Sequence, residues 1–446
     1  MRASVWMRAG LRLMLAAVLL CALPAGHTQA GATFGPDLSR PGKERTLPDR
    51  LPDKPTVAPA LTIPSEPLGF SAPGPIYLGQ RWSLASLDFL DEDHLLFTFR
   101  VPGLIHREAG SNAESEEHQI RALVLLLPAG TVQAEGLWTV HDHARYLWML
   151  RDGHFLLRDR DGITQGNAML ELKPLLQFPG PLLWLELDPT QQFLVTNSLE
   201  PAASATKPEE ASSADTAAAA ADADGPQPVG PSDVVVRILR RDSGQVMLVS
   251  RVRSTVHLPI NAEGYLEGLR ANSGHWMLNL KYFGGGSKVL GRVDSTCSPT
   301  LDFVSQQEVL ATACVPAGAG KLVAMSTDGH RLWDGLTTNN TIWPLVITAA
   351  DGSRLAREAL AVTHPVNPYS PLSQEDIKGQ LVLVFDAANG KMELATSASP
   401  ALDAGGNVAL SPSGRRVAVL NAGAIQVFDL PAPVPVAGAA PEAKAH

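Results

Sequence analysis

Three groups of residues have the types and spacing to act together chemically. Cys297 and Cys314 flank a segment whose turn falls near Ser305-Gln306, and in that register the two thiols face each other on adjacent strands. In an oxidising compartment such a pair forms a structural disulfide, whereas a slip of one residue leaves two buried thiols. His141-Asp142-His143 is the most metal-like cluster, because alternate residues of a strand project to one side. Two ligands do not make a site, no third can be placed beside them from spacing, and a polar connection after Trp138 accounts for the same residues. No metal is therefore assigned. Gly284-Gly285-Gly286 has the composition of a phosphate loop, but no helical pattern follows it, so a wide hairpin turn is expected.

Nucleophile signatures are missing: the chain has no G-x-S-x-G, S-x-x-K or H-E-x-x-H. Neither a catalytic nor a cofactor-binding residue is assigned, and no cofactor is expected. The acidic run from Glu108 to Glu117 lacks the alternating oxygen ligands of a calcium loop and is expected to be solvated. Trp82, Trp138, Trp148, Trp184, Trp276, Trp333 and Trp343 could line a carbohydrate- or peptide-binding face, yet packing between sheets uses the same residues. Asn339-Asn340-Thr341 matches a glycosylation sequon, a pattern short enough to arise by chance.

These residues are carried by 446 residues that are 45% hydrophobic and 18% charged, with 38 Gly, 35 Pro and 3 Cys. The chain is too apolar for a disordered protein and too poor in cysteine for a disulfide-built mini-domain. Its formal charge is -9, and Arg2, Arg8 and Arg12 are the only charges among the first thirty residues. Without them the balance is -12, and no Lys/Arg stripe offsets it, so nucleic acid is not an expected partner. The same arginines, the apolar run Leu11 to Leu23 and the small residues around Thr28-Gln29-Ala30 form a signal peptide over 1–30, with cleavage after Ala30 or Ala32. That run is shorter than the ~20 residues of a membrane span, and Leu20 is bulky for a lipobox ahead of Cys21, which leaves a lipid-anchored chain as the alternative. A soluble, exported chain is expected, periplasmic or extracellular, without a transmembrane anchor.

Residues 31–75 are proline-rich and read as a disordered tether; 200–232 are almost all Ala, Ser, Asp, Glu and Pro and read as a disordered insert; 431–446 read as a disordered tail. Between them lies a repeat. LDFLDEDHLLFTF from Leu87, LWMLRDGHFLLRD from Leu147, LELDPTQQFLVTN from Leu185, LDFVSQQEVLATA from Leu301 and VALSPSGRRVAVL from Val408 align without gaps. Looser copies surround Gly268 and Val346. Each begins with alternating apolar residues, crosses a polar turn such as Asp152-Gly153 or Ser413-Gly414, and resumes an apolar run: two strands and a hairpin. Second hairpins follow from Ala122, Val235, Leu322 and Leu381. Two hairpins make a four-stranded unit of ~40–50 residues, the size of a propeller blade.

Seven such units predict an all-β fold, a single β-propeller of four-stranded blades over 76–430, with unrelated hairpins in β-sandwiches as the alternative. The last unit is one strand short, and Ile76-Tyr77-Leu78 or the segment just after it is expected to complete it. SPSGRRVAVLNAGAIQVFDL, from Ser411 to Leu430, resembles the blade repeat of WD40-like and YVTN-type propellers, and LDPTQQFLVTN resembles it more weakly. The repeating Gly-His and Trp-Asp pairs of WD40 proteins are absent, although Trp333-Asp334 occurs once. In layout the chain also resembles exported bacterial proteins to which no biochemical role is attached. Because blade signals span the chain and no catalytic constellation rises above chance, a monomeric, non-catalytic scaffold that binds a protein partner or small ligand at one face of the ring is expected. Its alternative is a propeller enzyme such as a YVTN-like lactonase or a quinone-dependent dehydrogenase.

Overall fold

A computed structural model of the chain describes residues 44–103, 106–107, 116–142, 144–201, 232–272, 274–316, 319–367 and 370–432. The leader at 1–30, the proline-rich stretch up to 43, His143, most of the acidic run, the insert at 202–231 and the tail from 433 lie outside these residues. Seven antiparallel blades and a two-stranded parallel pair account for the sheets of the described residues. Blade 1 is Ala85–Phe89, His94–Arg100, Glu116–Leu126 and Thr131–Val140. Blade 2 is Leu147–Met149, Phe155–Asp159, Gly162–Gly166 and Leu172–Gln177. Blade 3 is Leu182–Leu187, Phe193–Pro201, Ser232–Arg240 and Val246–Val252. Blade 4 carries three strands of the plan among the described residues, Gly264–Asn272, His275–Tyr282 and Ser287–Asp294. Blade 5 is Thr300–Phe303, Glu308–Cys314, Gly320–Ser326 and Arg331–Leu336. Blade 6 is Thr341–Thr348, Arg354–Val362, Ile377–Asp386 and Met392–Ala398. Blade 7 joins Val408–Leu410, Arg416–Asn421 and Ala424–Asp429 to Leu61–Pro64. All seven repeat windows fall on first hairpins of blades.

The core shows why the sheets close into a ring. Ile377–Asp386 is apolar on both faces: Leu381, Leu383 and Phe385 pack against blade 5, and Val382 and Val384 against blade 7. Period-two alternation thus sends one strand into two interfaces. A buried cluster of this kind fills each junction between successive blades, and the cluster joining Leu87, Phe97 and Leu125 to Ala418, Leu420 and Val427 unites blades 7 and 1. Each fully buried Leu, Val or Phe contributes roughly 1.5–3 kcal/mol.

The proline-rich stretch departs from the expected free tether. Glu44–Thr46 pairs in parallel with the outer strand of blade 5, and Asp49 accepts hydrogen bonds from Thr338 Oγ1 at 2.6 Å and Asn340 Nδ2 at 2.7 Å. Thr56 exchanges bonds with the outer strand of blade 6, its amide with the Ala395 carbonyl at 3.0 Å and its hydroxyl with the Ala395 amide at 2.9 Å. Leu61–Pro64 then becomes the fourth strand of blade 7. The segment covers three outer edges that would otherwise expose unpaired backbone groups. Closure therefore comes from Leu61–Pro64, and Ile76-Tyr77 instead pairs in parallel with Ala401–Leu402. Proline is compatible with this edge because only one side of the strand is bonded.

Two further boundaries differ from the sequence reading. Glu200, Pro201 and Ser232 belong to paired strands of blade 3, and Glu200 is buried against Arg237. In blade 5, Thr300 pairs with Thr312 and Leu301 with Ala311, one residue away from the register expected for the cysteine hairpin. Cys297 lies just before that strand, where Thr296 N bonds the Cys314 carbonyl at 2.9 Å. There the two sulfurs stand 2.06 Å apart, with Cα atoms 5.5 Å apart.

Candidate functional site

The first strand of each blade forms the inner edge of its sheet. The second residues of the aligned windows therefore occupy corresponding inner positions: Asp88, Trp148, Glu186, Asp302 and Ala409. Asp88 pairs with Leu96, Trp148 with Leu156 and Asp302 with Leu310, the same offset each time. Blades 1, 3 and 5 thus contribute one carboxylate each. Two cations come from the connections feeding inner strands, Arg145 ahead of blade 2 and His257 ahead of blade 4. Arg145 lies in the field of both Asp88 and Glu186. His257 lies between Glu186, at 3.0 Å from Nδ1, and Asp302, at 3.6 Å from Nε2. Around the ring the charges alternate: Asp88, Arg145, Glu186, His257, Asp302.

Burial alone would lower the pKa of His257, but hydrogen bonds to Asp302 and Glu186 and their charges reverse this and push it up to about 11. The Leu301 carbonyl, 2.8 Å from Nε2, is a third acceptor. Both ring nitrogens therefore donate and the imidazolium is held through the neutral range. A general base needs a free nitrogen near the working pH, and His257 has none. Asp88 is raised to about 6 by burial, opposed by Ser86 and Arg145, yet it keeps partial solvent access.

Arg145 is the open member of the arc. Its Nε donates to the Leu147 carbonyl at 3.0 Å and its guanidinium stacks 5.1 Å over the ring of Trp148. Burial lowers its pKa against the opposing charges of Asp88 and Glu186, yet the side chain remains solvent-exposed. Dense surroundings with an exposed head are what a side chain in a wet channel shows. Among the described residues Nη1 and Nη2 make no hydrogen bond, leaving the fork that matches a carboxylate. Trp184 lies beyond Glu186, 41% exposed, with its ring edge-on to His257 at 5.8 Å between centroids.

Two side-chain hydrogen bonds cross between blades at the first turns, the other end of the inner strands. Arg151, in the first turn of blade 2, donates to the Ala350 carbonyl in the first turn of blade 6. Gln306 Nε2 of blade 5 donates to Asp188 Oδ2 of blade 3 at 3.2 Å. Both bonds join blades that are not neighbours. Two surface cavities of about 430 and 460 Å³ lie at the seam of blade 7, away from the arc, and Arg416 in the second is taken by Asp93 and Asp429.

The residues singled out from sequence are mostly structural. His141 Nδ1 is 3.0 Å from Asp159, its Nε2 3.5 Å from Glu117, and Asp142 is buried against Arg158 Nε at 2.9 Å. These contacts tie blade 1 to blade 2. Among the described residues no group of three or more His, Cys, Asp or Glu is arranged to hold a metal. Gly284-Gly285-Gly286 forms the turn between two strands of blade 4, with open space beside it. Trp138 and Trp333 are buried between blades, and Trp333 Nε1 donates to the Ala387 carbonyl at 2.6 Å. The carboxylates of the arc were visible only as an acidic column in three windows; the cations had no local signal.

No family model matches the chain, and no curated protein matches it. Among solved structures it is similar to the acylaminoacyl peptidase of Pyrococcus horikoshii, with 10% identity over 75% of this chain and 49% of that one and a TM-score of 0.43. The likeness is one of fold. Sqt1 of Chaetomium thermophilum, solved bound to the N-terminus of ribosomal protein L10, shares 10% identity over 84% of this chain and 100% of its own, with a TM-score of 0.40. The β-propeller domain of the trilobed protease of Pyrococcus furiosus shares 9% over 78% and 94%, with a TM-score of 0.39. The chain spans about half the length of the peptidase. No helix among the described residues is long and apolar enough to cross a membrane.

Proposed function

We propose that the protein is a non-catalytic, exported binding scaffold whose channel takes a carboxylate-bearing ligand, best matched by the end of a peptide. The observation that carries this reading is Arg145, a guanidinium inside the ring with its fork free and its face on Trp148. Asp88 beside it suits an ammonium group, and exposed Trp184 offers an apolar surface for a neighbouring side chain. Turnover has less support, because His257 is locked as a cation and the described residues hold no activated nucleophile beside a base. Export rests on the leader read at residues 1–30.

The test uses a random hexapeptide mixture with free carboxyl termini and the same mixture amidated, each passed over the immobilised protein. Selective retention of the free-carboxyl pool, at least ~10-fold, and its loss in Arg145→Gln are expected. Equal retention of the two pools, or retention unaffected by Arg145→Gln, refutes the reading. Cleaved peptides in the eluate, seen by mass spectrometry, would favour the enzyme.

A further inference from the structure

A second arginine lacks a counter-charge among the described residues, and it lies far from the arc in sequence. Arg357 and Glu358 are consecutive on the second strand of blade 6, 3% and 2% exposed, and their side chains leave opposite faces of that strand. They therefore cannot neutralise each other. Glu358 is satisfied by Gln380, whose Nε2 donates to Oε2 at 2.7 Å. Arg357 makes one hydrogen bond, from Nη2 to Thr341 Oγ1 at 3.2 Å, and among the described residues no carboxylate lies within ion-pair distance. Burial lowers its pKa to about 10, which still leaves the guanidinium charged at neutral pH.

The other buried arginines are answered. Arg158 meets Asp142 and Arg354 meets Glu393, and the half-buried Arg237 likewise meets Glu200. A cation this deeply buried is expensive unless water or a counter-ion reaches it, and the nitrogens of Arg357 are not among the enclosed polar atoms left without a partner. The backbone beside Arg357 is also irregular. Ile342 pairs with Leu360 and Leu345 with Glu358, so Trp343 and Pro344 bulge opposite Ala359, with Trp343 at φ 46°. Such bulges re-aim side chains and recur beside binding sites.

We propose that Arg357 holds a small monovalent anion of chloride size, with the guanidinium supplying charge and the Thr341 hydroxyl a further donor. Thr341 Oγ1 accepts from Arg357, so its own proton is free to point at the anion. One positive charge and few donors match a monoanion; sulfate or phosphate would bring surplus charge to a side chain only 3% exposed. Among the described residues Arg357 makes no hydrogen bond or ion pair with the residues of the arc, so the two proposals are tested by independent readouts.

Bromide is the probe, because it substitutes for chloride and scatters anomalously. Crystals of the wild-type protein grown in sodium bromide should show an anomalous peak within hydrogen-bond range of the Arg357 guanidinium. In solution, thermal melts in sodium chloride should lie about 2–4 °C above melts in sodium gluconate of equal ionic strength. Sodium acetate should give no such rise if the site is halide-sized. The chloride increment should vanish in Arg357→Met and shrink in Thr341→Val. A bromide map without a peak at Arg357 overturns the proposal, whether or not the variants fold. So does a chloride increment that persists in Arg357→Met, or an acetate rise equal to that of chloride.

Discussion

Arg354 and Arg357 lie three residues apart on one strand of blade 6, and both are almost wholly buried. Arg354 is saturated in that each of its three nitrogens is bonded: Nε donates to Glu393 at 2.5 Å, Nη1 to the Gly414 carbonyl at 2.8 Å, and Nη2 to the Pro431 carbonyl. Those partners belong to blade 6, blade 7 and the chain leaving blade 7. Arg357 has a single hydroxyl. The same residue type in the same strand thus serves two ends. Where every nitrogen is bonded the charge joins blades; where nitrogens are left over, there is room for the outside partner proposed above. The contrast recurs between Arg158, tied to Asp142, and Arg145, open to the channel.

The joining side of this contrast is tested most severely by opening the ring. Deleting residues 44–64 removes the fourth strand of blade 7 and the cover over blades 5 and 6. Calorimetry should show the main unfolding transition lost or broadened, because the core shared by blades 7 and 1 includes Ile63. Arg354→Met comes next, since it strands Glu393, 9% exposed, without its partner. A loss of about 3–5 kcal/mol is expected in urea unfolding, and Glu393→Met added to it should recover much of that loss. If the double variant were no better than the single, Arg354 would owe its importance to the two carbonyls instead of the ion pair.

A covalent tie gives a scale for these charges. Cys297 and Cys314 connect the approach to blade 5 with the end of its second strand. Replacing both with serine should cost about 2–4 kcal/mol. Thiol titration of the denatured, unreduced protein should detect neither of them; two titratable thiols from this pair would show that the protein as made lacks the bond.

How much of this was legible beforehand depends on how far apart the partners lie in the chain. The blades were visible because each hairpin is local: Leu87 to Phe99 or Val408 to Leu420 displays alternation, turn and return within thirteen residues. Closure was placed some fifteen residues too late because Leu61-Thr62-Ile63-Pro64 is short and sits among prolines, and only its pairing with Ala424–Asp429 makes it a strand. The arc was harder still. Asp88, Glu186 and Asp302 share a window column, but Arg145 and His257 lie in connections whose lengths differ, so no fixed spacing relates them to the acids. Register failed by one residue at the cysteine hairpin because Cys297 precedes the regular strand.

Glu358 supplies the next smaller test. Burial raises its pKa from 4.5 to about 8, so the folded chain holds this proton more tightly than the unfolded chain. The stability that this proton confers is fully present below about pH 4.5 and is lost as pH rises through about 8, with a slope of at most about 1.4 kcal/mol per pH unit between those limits. Urea unfolding of Glu358→Gln, compared with wild type at several pH values, should lack this component of the slope. Parallel profiles for the two proteins would mean that Glu358 is ionised in the fold and that a cation has reached it.

The smallest effect is the one that separates the two arginines most sharply. In gluconate, where no halide is present, Arg357→Met replaces an unanswered interior charge with an apolar chain of similar reach. Its single hydrogen bond, to Thr341, is worth only about 1 kcal/mol, and that gain is set against the burial of the bare cation. The variant should unfold within about 1 kcal/mol of wild type, on either side. Chloride should then stabilise the wild type alone, so the order of the two proteins in urea is set by the salt. A loss of several kcal/mol in gluconate, close to that of Arg354→Met, would mean that Arg357 joins blades like its neighbour, and the distinction between saturated and open arginines would fail at the strand where it is clearest.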